Sequence, residues 1–111
     1  MIKVLNTSDN GRVFRCSSCN KIHIEFKNLN FNFNDKEFKS FFDYLISLDG
    51  LHWEKKNRNI QYKRKILIPT NQNNMNILLN KDELNELRRL FILPVFKNLE
   101  FCRIKYDICN N

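Results

Sequence analysis

Glycine and proline are scarce in this 111-residue chain, with two of each. A glycine-rich phosphate cradle needs several glycines close together, and Gly11 and Gly50 stand far apart, so that class is excluded. Disorder of the whole chain is excluded by the same scarcity, since aromatics reach 13% with ten Phe, opposite to the disordered signature. Long apolar runs are also missing. The longest, Leu90 to Phe96, falls far short of the ~20 residues a membrane span needs, so no membrane partner is expected. Met1-Ile2-Lys3-Val4-Leu5 meets polar Asn6-Thr7-Ser8-Asp9 at once, unlike the apolar region of a secretory signal. The cytoplasm is therefore the expected location. Histidine occurs twice, at His23 and His52. Neither sits in a nucleophile-base arrangement and no carboxylate pair has a reason to converge, so the enzyme reading is the minority one.

What is present fits one domain of 13.5 kDa over residues 1–111, large enough to hold an ordinary core. Acidic residues are outnumbered, twelve against nineteen basic, for a net charge of +7. Such a surplus steers anionic partners toward a protein and also keeps it soluble. An Asn-, Lys-, Ile- and Phe-rich bias of the kind AT-rich coding DNA produces lowers its weight as a sign of binding.

Residues 1–11 read as an irregular lead-in, because Asn6 to Gly11 is a turn-forming cluster. Val13-Phe14-Arg15 is β-prone, Cys16 to Asn20 is turn-like, and Ile22, Ile24 and Phe26 alternate with His23 and Glu25. After the two-residue gap Lys27-Asn28, Leu29, Phe31 and Phe33 alternate again, which predicts a tight hairpin. Asn34 with Glu37 has capping-box spacing, and Phe38, Phe41, Phe42, Leu45 and Leu48 form a helical stripe. That helix is expected over 35–49, ended by Gly50. Leu51 to Asn59 reads as a loop. Ile60, Tyr62, Ile66 and Ile68, then Met75, Ile77 and Leu79, read as two further strands. Asn80 and Glu83 repeat the cap, and Leu84, Leu87, Leu90 and Phe91 mark a second helix expected to break before Pro94. The tail 94–111 fits a helix or a strand.

Leu29 to Leu45 aligns without a gap on Met75 to Phe91 at an offset of 46, cap on cap and apolar on apolar. Shared capping rules could produce the same match without duplication. The expected fold is α+β: two ββα units, 12–50 and 60–93, forming one antiparallel sheet with both helices on one face, covering Ile24, Phe31, Ile66 and Ile77.

Cys16-Ser17-Ser18-Cys19 is the one spacing with chemical content, because two thiolates two residues apart at a strand-to-turn junction can hold a tetrahedral zinc. His23, Cys102 and Cys109 could complete such a site. The gap between Cys102 and Cys109 is wider than a zinc knuckle normally allows, so the motif is half a zinc site. Inert turn thiols are the plain alternative. A redox pair is a further one, disfavoured because a strand rather than a helix follows the motif. The second candidate is a basic, aromatic segment: Trp53, Lys55, Lys56, Arg58, Tyr62, Lys63 and Lys65 could contact phosphates and stack on unpaired bases. Alternation would put Lys63 and Lys65 on an outer sheet face, where charges are ordinary.

The order Cys16-x-x-Cys19, Ile22-His23-Ile24-Glu25-Phe26, Asn28-Leu29, Phe38-x-x-Phe41-Phe42, Ile66-Leu67-Ile68-Pro69-Thr70 and Asn80-Lys81-Asp82-Glu83-Leu84 resembles a family of short bacterial proteins of unknown function. The resemblance covers about residues 12–92 and implies no activity. The expected function is a small binding or interaction module with zinc as its cofactor at the CxxC. Nucleic-acid binding through the basic segment is the alternative, and thiol redox chemistry comes third. A protein partner or a second copy could add to an edge strand.

Overall fold

The computed structural model describes residues 2–97, with the backbone alone for residues 95–97. The chain is α+β. A four-stranded antiparallel sheet of order β1-β2-β3-β4 is built from β1 (Ile2–Ser8), β2 (Gly11–Cys16), β3 (Lys21–Phe26) and β4 (Leu29–Phe33). Helices α1 (Asp35–Ser47) and α2 (Gly50–Lys56) follow, then a two-stranded sheet of β5 (Ile66–Pro69) and β6 (Asn76–Leu79), then α3 (Lys81–Lys97). The two expected hairpins both form, but they stay in separate sheets rather than joining into one.

Alternation sets the inner face of the larger sheet. Val13, Ile24 and Phe26 are fully buried beneath α1 and α3, whose Leu45, Leu87, Leu90 and Phe91 complete the core. Phe91 is its centre, with ring centroids 4.5 Å from Phe38, 5.7 Å from Phe41 and 6.4 Å from Phe42. Ile66, Ile68, Leu79 and Leu84 extend the core under the smaller sheet, while Phe31 and Ile77 are half-buried against it. Gly11 lies where sheet and helix come closest: an added Cβ would sit 2.4 Å from the Glu25 carbonyl oxygen and 2.9 Å from Leu90 Cδ1.

Both capping boxes form. Asn34 Oδ1 accepts from the Glu37 N–H and Glu37 Oε1 from the Asn34 N–H; Asn80 and Glu83 repeat the exchange at 2.8 Å each way. The helices start at Asp35 and Lys81, 81 minus 35 being the same offset of 46.

Four sequence expectations need correction. The lead-in is strand β1, paired along its length with β2, because its polar residues have distant partners. The Ser8 hydroxyl donates to Glu86 Oε2 (2.6 Å), and the backbone and side-chain amides of Asn10 donate to the same carboxylate. A register shift between Val4 and Asn6 lets Leu5 pack on the core and turns Asn6 toward α3. Gly50 does not end α1. It opens α2, with Asp49 as N-cap accepting from the His52 N–H, while Arg88 of α3 donates to the carbonyls of Leu45 and Leu48 at the end of α1. Ile60 and Tyr62 are not strand residues, because Lys65 Nζ donates to both their carbonyls and folds the segment into a turn. Finally, α3 continues through Pro94. Proline leaves the carbonyl four residues back without a donor, and Asn6 Nδ2 supplies one, 3.2 Å from Leu90 O and 3.0 Å from Arg89 O.

Candidate metal centre

The outer face of the larger sheet carries the chemistry. Phe14 pairs with His23, and His23 with Asn32, so these three side chains form one row across β2, β3 and β4. Cys16 ends β2 two register positions away, opposite Lys21, and Cys19 stands in the connecting turn. That turn is closed by the Asn20 N–H on the Cys16 carbonyl (2.9 Å), with Asn20 at φ 54°. Asparagine tolerates this left-handed geometry better than most side chains.

The result is a cluster of three donors. One ligand atom from each of Cys16, Cys19 and His23 lies within 4.8 Å of the other two, at an exposed to half-buried surface. Cys19 Sγ is 3.2 Å from His23 Nε2. Around a tetrahedral zinc, neighbouring S and N donors sit ~3.5–3.8 Å apart, so the side chains fit the ion after shifts of about half an ångström to an ångström. Among the described residues no other group of three such donors occurs.

A relay of amides decides which histidine nitrogen is free. Asn30 Nδ2 donates to the Ile24 carbonyl (3.3 Å), which leaves Asn30 Oδ1 to accept from Asn32 Nδ2 (2.9 Å). Asn32 must then present Oδ1 to His23 Nδ1, at 2.6 Å. Nδ1 therefore carries the proton, and the lone pair of Nε2 faces Cys19, the arrangement a metal-binding imidazole requires. The ring is also held flat against Phe14, centroids 5.1 Å apart, with the Arg12 guanidinium on the Phe14 ring.

The Cys16 thiol is prepared as well. The Ser18 hydroxyl, 2.9 Å from Cys16 Sγ, is the main cause that lowers the Cys16 pKa from 9.0 to about 6, with the backbone N–H and thiol of Cys19 and the N–H of Ser18 adding to it. Metal ligation uses the thiolate. Cys102 and Cys109, the remaining sequence candidates, lie outside the described residues.

A model of the family of unknown function DUF6686 matches residues 1–111. The chain belongs to that family. No curated protein and no solved structure matches it. The candidate metal centre of this DUF6686 protein thus rests on its own geometry.

The basic segment is arranged differently from the strand face expected for it. Lys63 precedes β5 outside any strand, and Lys65 is turned inward onto the Ile60 and Tyr62 carbonyls. Trp53 is half-buried against the core, with Lys56 Nζ 4.9 Å from its ring. Lys55, Arg58 and Tyr62 are exposed. Arg64, in the same basic run, is drawn to the buried Glu83, with Nε 2.7 Å from Oε1. No described helix is long and apolar enough to cross a membrane.

Sequence reading also missed Asn30, Asn32 and Ser18 as parts of the donor cluster. The signal for Asn32 was available. A two-residue turn at Lys27-Asn28 pairs Phe26 with Leu29, and counting back along both strands sets His23 opposite Asn32.

Proposed function

We propose that this DUF6686 protein is a small binding module whose β2–β3 turn holds zinc through Cys16, Cys19 and His23. The observation that carries the reading is the convergence of the three donor atoms within 4.8 Å, with Asn32 holding the histidine in the metal-ready tautomer. Two thiolates neutralise the ion's charge, and an imidazole backed by an amide oxygen is a typical third ligand. The zinc is structural in this reading. It ties the turn to β3 and fixes the outer face of the sheet as the surface offered to a partner. The fourth ligand is a water or one of Cys102 and Cys109.

Elemental analysis of untagged, reductively purified protein, with thermal melting before and after a strong chelator, tests this. About one zinc per chain is expected, with a lower Tm after chelation. Cys16→Ser and Cys19→Ser should each lose the metal. Wild-type protein that stays metal-free when refolded with zinc would sink the reading.

A further inference from the structure

The metal reading leaves unexplained why the thiols sit at so accessible a place. Cys19 is exposed and Cys16 half-buried, on the outer face of the sheet rather than in the core. A structural zinc is better protected below the surface, whereas an exposed thiol pair can be reached by solutes. Their Sγ atoms lie within 4.8 Å of each other. Sharing one zinc would bring them to ~3.8 Å, and a disulfide requires about 2.05 Å. The turn between them can supply that last approach. Its base is held by the Asn20 N–H on the Cys16 carbonyl, a bond that makes no use of either sulfur, and Ser17 and Ser18 are both exposed. The sheet register, fixed by Cys16 opposite Lys21, need not change.

Resting on the metal reading above, we propose that Cys16 and Cys19 form an oxidation-sensitive latch, in which a peroxide converts the zinc-bound thiolates to a disulfide and releases the ion. Cys19, the more exposed of the two residues, attacks one peroxide oxygen through its sulfur. The O–O bond breaks, the leaving oxygen takes a proton and departs as water or alcohol, and a sulfenic acid forms on Cys19. The Cys16 thiolate then attacks that sulfur, the S–S bond forms, and hydroxide leaves and is protonated to water. Two thiolates lose two electrons in all, and the peroxide with two protons gains them. Neither disulfide sulfur remains a thiolate donor, and His23, still held by Asn32, is left with at most the fourth ligand beside it, too few to retain zinc. A dithiol reductant and fresh zinc reset the centre.

The test uses the full chain, loaded with zinc and quantified before oxidation. Hydrogen peroxide is added stepwise while released zinc is followed with a chromophoric chelator, and the products are read by intact mass and peptide mapping. Release in step with a loss of two hydrogens, mapped to a Cys16–Cys19 cross-link and reversed by dithiothreitol plus zinc, supports the latch. A chain that holds zinc and keeps it while peroxide is in excess overturns the latch alone. So does release with over-oxidised sulfur, or with a cross-link to Cys102 or Cys109. A chain carrying no zinc before peroxide is added overturns the metal reading, and the latch with it.

Discussion

Asn32 does more for the cluster than its place among the polar residues of β4 suggests. It accepts from His23 Nδ1 at 2.6 Å, and its own orientation is set by Asn30. Without that acceptor the imidazole is free to carry its proton on Nε2, which then cannot bind a metal until the proton moves. Outer partners of this kind are worth roughly 10–100-fold in metal affinity. Asn32→Leu is therefore expected to weaken zinc binding by about that factor, measured by competition with a chromophoric chelator. Asn32→Asp, which keeps an oxygen on Nδ1, should restore it. A leucine variant that binds zinc like wild type would remove the relay from the account. Cys16, Cys19 and His23 were legible in the chain because thiol and imidazole chemistry is written in residue type and spacing. Asn32 was legible only through the hairpin register, one step of geometry further on.

Elements were legible where their causes are local. The caps at Asn34 and Asn80 satisfy backbone donors three residues away, so both helix starts could be read from the sequence. The ends of the chain were not readable in this way. β1 looked like a turn cluster because the partners of Asn6 and Ser8 lie on α3, 78 to 84 positions away. Pro94 looked like a helix stop for the same reason, since the donor that replaces its missing N–H comes from β1. This exchange makes a double-mutant prediction. Asn6→Ala leaves the Leu90 carbonyl unpaired and is expected to cost ~1–3 kcal/mol in chemical denaturation. Pro94→Ala restores an N–H to that carbonyl, so in its background Asn6→Ala should cost less, with a coupling of about 0.5 kcal/mol or more. Additive effects would mean that Asn6 acts through packing, Arg89 O or the Thr7 N–H rather than through Leu90 O.

Across the whole molecule, one carboxylate adds a polar tie between the two sheets to the core they share. Glu83 is almost buried and receives Lys27 from the β3–β4 turn (2.6 Å), Arg64 from the segment before β5 (2.7 Å) and the Asn80 N–H at the start of α3 (2.8 Å). A cleft of about 330 Å³ lies between the β3–β4 turn and β6 beside it, with Arg64 and Glu83 on its lining. Arg64 does most to hold the Glu83 pKa down, and against the opposing effect of burial it falls to about 2. A depressed carboxylate pKa stabilises the fold fully above the unfolded-state value of ~4.3 and loses that contribution as pH falls toward the folded-state value. Unfolding free energy should therefore decline between roughly pH 5 and pH 2. Glu83→Gln removes the charge while keeping the shape. It leaves Arg64 and Lys27 without their counter-ion, but both are half-exposed and stay hydrated, so the change should cost ~1–2 kcal/mol at pH 7, less than breaking a fully buried pair. The decisive quantity is the difference between wild type and variant, which cancels the other carboxylates. It should narrow as pH is lowered through that window, because protonation brings the wild type to the variant's charge state. If the two stability curves run parallel from pH 7 to pH 2, Glu83 is not the ionised link between the sheets, and the junction must be held by the apolar contacts of Ile66, Leu79 and Leu84.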